Sequence, residues 1–141
     1  MSRSGYTDDD SSEYPLALWR GAVMSSIRGK RGQKLLKEIV AALDAMPVKR
    51  LIAHELVKDG ECCALGSIAL AKGKDVSAID PEDYCVVAKE FDVAEPLVRE
   101  IEYENDEGGS WCTEENPEDR WNRMRAWAVE HITSKPGAED A

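Results

Sequence analysis

The chain lacks any apolar run near the roughly 20 residues that a membrane-spanning helix needs. Its polar, acidic opening, Met1 to Tyr14, has none of the apolar stretch of a secretory signal. It has no Gly-x-Ser-x-Gly elbow and no Gly-x-x-x-x-Gly-Lys-Ser/Thr loop, so two common catalytic signatures are missing. The four cysteines include no Cys-x-x-Cys. Cys62 and Cys63 are adjacent, while zinc sites favour ligands two to four residues apart, so no metal is expected and the thiols read as reduced and mostly buried. No internal repeat is present. Bases are also short: 18 Lys and Arg stand against 28 Asp and Glu, a net charge of −10. That balance excludes a chain that simply coats nucleic acid, because phosphate binding needs clustered cations.

What is present suits one domain. The 141 residues, 43% of them hydrophobic, are enough for a single core. The expected division is a flexible acidic tail over 1–14, one helical domain over 15–132 and a second flexible tail over 133–141. The charge is strongly segregated. Between 15 and 50 there are eight bases and two acids, a local charge of +6. Between 80 and 119 there are fifteen acids and two bases, a local charge of −13. Either the two regions attract each other inside one fold, or one of them is an exposed partner surface.

Apolar spacing predicts a mainly α-helical fold, a bundle of five to six helices with a helix-turn-helix-like pair and one small β-hairpin. Leu16, Trp19, Val23 and Ile27 mark one face of a first helix starting near Pro15. After the interruption Gly29-Lys30-Arg31-Gly32, Leu35, Leu36, Ile39, Val40 and Leu43 mark a second, from about Gln33 to Met46, ended by Pro47. Residues 51–57 read as a short strand turning through Asp59-Gly60 into Glu61-Cys62-Cys63. Ala64 to Lys72 reads as a buried helix closed by Gly73. Asp80-Pro81-Glu82-Asp83 and Asn116-Pro117-Glu118-Asp119 are helix starts, predicting helices from 81 to about Phe91 and over about 117–132. Asp92 with Glu95 suggests a capping box for another helix over about 94–104.

Residues 84–101 are similar to a helix-turn-helix, with Ala88 at the packed position and Phe91-Asp92-Val93 at the turn. The second helix, however, carries one Arg and many acids, which would repel phosphate. A nucleic-acid contact is better sought at Arg28–Lys37. Gly29-Lys30-Arg31-Gly32 stays open as a structural turn or as an anion contact. Glu100, Glu102, Glu104, Asp106 and Glu107 could be a solvated face, a hard-cation site or a protein contact. Cys-His nucleophilic chemistry would need a base within reach, which the spacing does not suggest. No catalytic residue is assigned and no cofactor is called for.

The segments Trp19-Arg20-Gly21-Ala22-Val23, Ile27-Arg28-Gly29-Lys30-Arg31-Gly32-Gln33, Cys63-Ala64-Leu65-Gly66, Asp80-Pro81-Glu82-Asp83-Tyr84 and Tyr103-Glu104-Asn105-Asp106-Glu107-Gly108 resemble small phage and prophage proteins of unknown function. The resemblance implies a virus-encoded protein in the bacterial host cytosol and confers no activity. The expected function is binding and modulation of a host or phage protein, an inhibitor of host nucleic-acid-handling or defence machinery, with no membrane role. Two surfaces are candidates. The acidic one is Glu100, Glu102, Glu104, Asp106 and Glu107. The basic one is Trp19, Arg20, Arg28, Lys30, Arg31 and Lys34. The alternative is a helix-turn-helix-like nucleic-acid-binding regulator using the basic 28–37 region.

Overall fold

The structure is a computed structural model describing residues 2–3, 6–7, 14–107 and 115–133. Six helices follow one another: α1 Tyr14–Arg28, α2 Lys30–Ala45, α3 Ala64–Lys72, α4 Tyr84–Phe91, α5 Glu95–Glu107 and α6 Pro117–His131. Two two-residue antiparallel ladders accompany them. β1, Ser2–Arg3, pairs with β2, Tyr6–Thr7, and β3, Val57–Lys58, pairs with β4, Glu61–Cys62. The protein is mainly α-helical with a small hairpin between α2 and α3, the architecture that the apolar spacing predicts.

The core is organised around two helices. α2 buries Leu35, Leu36, Ile39 and Leu43 at helical spacing, and it packs on α1, α3 and α6. α5 buries Leu97, Val98 and Ile101 and packs on α1, α3, α4 and α6. Trp121, Met124, Trp127 and Ala128 of α6 close the core against α2. Polar groups inside this core are tied to backbone. Gln33 donates to the Ile27 and His131 carbonyls at 2.6 and 3.1 Å and accepts from the Thr133 amide at 2.8 Å. One side chain thus joins the ends of α1 and α6 to the start of α2. Trp121 Nε1 donates to the Leu43 carbonyl at 3.3 Å.

Several boundaries differ from expectation, each for a local reason. α2 begins at Lys30 rather than about Gln33, so only Gly29 separates it from α1 and Gly32 lies inside the helix. Gly32 is there because a Cβ would collide with the Ser26 carbonyl, which crosses it. The strand expected over 51–57 shrinks to Val57–Lys58. His54 takes a left-handed conformation (φ 70°), which breaks the extended run. The Asp59-Gly60 turn forms as read, with φ of 54° and 81°. α4 starts at Tyr84, three residues late, because Asp80-Pro81-Glu82 closes a turn of its own and Asp83 is the residue that caps the helix. Asp92 does not open α5; it ends α4 in the left-handed conformation (φ 58°, ψ 51°). The predicted α6 start holds, with Asn116 accepting from the Asp119 amide at 2.7 Å.

The tails expected over 1–14 and 133–141 lie mostly outside the described residues, as do Gly108 and Gly109.

Candidate functional site

α5 carries most of the expected acidic surface, yet only Glu107 among its residues is exposed. Its neighbours enclose it on nearly every side. Glu100 is 2% exposed, and Arg20 Nη1 of α1 donates to its carboxylate at 3.1 Å. Glu102 is 9% exposed. Glu104 is half-buried, 4.0 Å from the Arg123 guanidinium, which also donates to the Glu104 and Asn105 carbonyls. Glu100 and Glu102 therefore do not belong to an open surface: the helix that bears them lies in the core.

The two charged regions partly neutralise each other. Arg20–Glu100, Arg31–Asp92 at 3.2 Å and Arg50–Glu118 at 3.7 Å each join the basic third to the acidic segment. On the C-terminal side, Arg123 holds the Glu115 carboxyl below its ordinary range, with bonds of 2.7 and 2.8 Å. Arg120, 8% exposed, donates to the Asn105 and Leu51 carbonyls at 3.0 and 3.1 Å.

What remains acidic is a patch at one end of α5. Asn105 anchors it: its Oδ1 accepts from the Ala64 amide at 3.1 Å and its Nδ2 donates to the Ile52 carbonyl at 2.9 Å. This fixes the 51–56 segment and the start of α3 beside α5. A cavity of about 10 Å³ results, walled by His54, Glu55, Cys63, Pro81, Glu102 and Asp106. Glu102 Oε2 is buried there with no hydrogen-bond partner among the described residues. Burial, then Asp106, Glu82 and Asp80, push the Glu102 carboxyl up to about 8. Asp106 accepts from the His54 amide at 3.0 Å, and His54 Nδ1 lies 3.5 Å away. Among the described residues, Glu55, Asp80, Glu82 and Glu102 form no ion pair, and His54 is the one ion-pair partner of Asp106. The sequence marked Glu102 and Asp106, but Glu55, Asp80 and Glu82 join them only because the loops 51–56 and 74–83 fold against α5. The Asp-Pro-Glu-Asp motif was readable only as a helix start.

The basic candidates divide in the same way. Trp19 is 4% exposed, on the same core stripe as Val23 and Ile27, so it is not a surface contact. Arg20 is held by Glu100. Arg31 is exposed and pairs with Asp92. Arg28, Lys30 and Lys34 are exposed and, with Lys37, make no ion pair among the described residues. Lys30, Lys34 and Lys37 fall on one face of α2 at i, i+4 and i+7. The helix-turn-helix-like pair α4–α5 does not offer a recognition helix, because α5 is enclosed. In its turn, Asp92 supplies the left-handed residue for which glycine is usual.

Neither Cys62 nor Cys63 is placed to act as a nucleophile. Burial pushes the Cys62 thiol up to about 11 and raises the Cys63 thiol further still, so both stay protonated at neutral pH. Of the three described cysteines, Cys62 and Cys63 are buried, as expected of mostly buried thiols, and Cys85 is exposed because its side of α4 faces solvent. Cys112 lies outside the described residues. Among the described residues no cluster of His, Cys, Asp and Glu is arranged to hold a metal, and no helix is long and apolar enough to cross a membrane. The sequence did not flag an apolar groove of about 520 Å³ between the end of α2 and α3, lined by Ala42, Met46, Val48, Cys62 and Leu70.

No family model, curated protein or solved structure matches this chain.

Proposed function

We propose that this is a phage-type protein that binds and modulates a basic host or phage protein in the bacterial cytosol, through the acidic end of α5. The observation that supports this reading is the set Glu55, Asp80, Glu82 and Asp106 around the buried Glu102, gathered by three chain segments without a lysine or arginine counter-ion among the described residues. Unneutralised charge of one sign is costly within a fold and useful toward a partner of the opposite sign. Such a surface suits an inhibitor that occupies the basic groove of a nucleic-acid-handling enzyme.

The test is partner capture with the intact protein from infected cells, followed by binding with purified components. Glu55→Gln, Asp80→Asn and Glu82→Gln together should weaken binding at least tenfold at low salt, and added salt should weaken the wild type, since exposed charges are screened within about 8 Å at physiological ionic strength. Retained binding in the triple variant overturns the reading. A second reading, nucleic-acid binding, is supported by the stripe Lys30, Lys34 and Lys37 beside Arg28, which makes no ion pair among the described residues. A low-salt mobility shift abolished by K30E and K34E would favour it; no shift with the wild type ends it.

A further inference from the structure

We propose that the cavity beside Glu102 is a slot for one lysine ammonium group of the partner protein. The inference rests on the acidic-surface reading above and names the chemistry recognised at its centre.

Three observations on the structure lead to it. The cavity, about 10 Å³, has room for one water-sized group. An ammonium is that size, whereas a planar guanidinium is not. One wall is a carboxyl, nine-tenths buried, whose Oε2 lacks a hydrogen-bond partner among the described residues. A buried carboxyl oxygen without a partner calls for a polar group to match it. The surroundings then select a cationic donor over a neutral one. Asp106 lies on the same helix as Glu102, Asp80 and Glu82 come from the loop before α4, and Glu55 from the segment before β3. Other titratable groups at the site are His54, Cys63 and Tyr84. Arg99, the nearby cation, is stacked on the Tyr84 ring at 4.2 Å.

The proton balance gives the slot a signature. In the free protein the Glu102 carboxyl holds its proton at neutral pH. An arriving ammonium stabilises the carboxylate, so Glu102 ionises and its proton passes to solvent, while the lysine keeps its three. Binding should therefore tighten as pH rises toward 8, by up to about tenfold per pH unit, and level off above it.

Octalysine, octa-arginine and fully side-chain-acetylated octalysine serve as probes with the intact protein. Calorimetry in two buffers of different ionisation enthalpy counts the protons released. Octalysine should bind with release of up to one proton at pH 7. Octa-arginine should bind through the surface charges without release, and the acetylated peptide should not bind. Glu102→Gln should keep part of the octalysine affinity but lose the release and the pH dependence. In the wild type the infrared band of a protonated carboxyl should vanish on adding octalysine, a readout that requires no variant. Proton release that persists in Glu102→Gln, equal release with octa-arginine, or an unchanged carboxyl band overturns the slot. Failure of the wider reading looks different: octalysine affinity would then be indifferent to the Glu55, Asp80 and Glu82 substitutions.

Discussion

Glu102 is a carboxyl whose environment opposes its ordinary chemistry. Burial and three neighbouring carboxylates raise it from 4.5 to about 8, so the folded protein holds a proton that the unfolded chain releases. The linkage has a definite sign. The folded state binds more protons between about pH 4.5 and 8, so this group's contribution to stability is complete below 4.5 and is lost as pH rises to 8. Urea unfolding of the wild type should therefore show this contribution declining across that window. Glu102→Gln, which cannot ionise, should flatten the decline and be more stable than wild type at pH 8, by on the order of 1–3 kcal/mol. A wild-type slope unchanged by the substitution would contradict the assignment. Asn105 is the opposite case, a buried polar group with its needs met by the Ala64 amide and the Ile52 carbonyl. Asn105→Ala should cost about 2–3 kcal/mol in equilibrium unfolding, because it strands a buried donor and acceptor. Nothing in the sequence separates Asn105 from its acidic neighbours; its role comes from segments 41 and 53 residues away.

Among the elements, the junction of α1 and α2 makes the sharpest demand on the chain. Both Gly29 and Gly32 read as helix breakers, yet only Gly29 interrupts a helix. A Cβ on Gly29 would meet the Ser25 carbonyl at 3.6 Å, ordinary contact, whereas at Gly32 it would overlap the Ser26 carbonyl. Gly32→Ala should therefore lower stability by roughly 2–4 kcal/mol through backbone displacement, and Gly29→Ala should change it little. Thermal melts of the two variants would check the difference, and equal melting temperatures would refute it. Helix existence was legible in the sequence because apolar residues at i, i+3 and i+4 encode one face locally, as with Leu35, Leu36, Ile39 and Leu43. Starts were less legible where two caps competed. Asp80 and Asp83 both offer an N-cap oxygen, and Asp80 spends its own on the Glu82 amide. Asp92 likewise serves as a left-handed terminus rather than as a first residue, a choice made by α4 and not by the Asp92–Glu95 spacing.

The whole molecule uses its opposed charges in two ways. Some join distant segments, as Arg20–Glu100 and Arg31–Asp92 do. Others, at separate places, make no ion pair with an oppositely charged lysine, arginine or carboxylate among the described residues: the carboxylates near Glu102 and the lysine stripe of α2. The stripe makes no ion pair among the described residues, so K30E/K34E/K37E should leave the thermal midpoint close to wild type. A large loss of stability would show that these lysines serve the fold and would remove the nucleic-acid reading. The same triple variant should leave octalysine binding at the Glu102 end unaffected or strengthened, since it only adds negative charge elsewhere.

By itself, the sequence determined that the protein is helical, where its helices pack, how two of its turns close and that its charge is divided into two regions. These are properties of neighbouring residues, whose spacing and caps act within a turn or two of helix. Only the tertiary structure decided which charges face solvent. Glu100 and Glu102 occupy positions that look as open as that of Glu107, but α1, α3 and the 51–56 segment close over them. Burial depends on what long-range packing brings to a face. For this reason the net charge of −10 says less about partners than the few carboxylates that have no lysine or arginine counter-ion among the described residues.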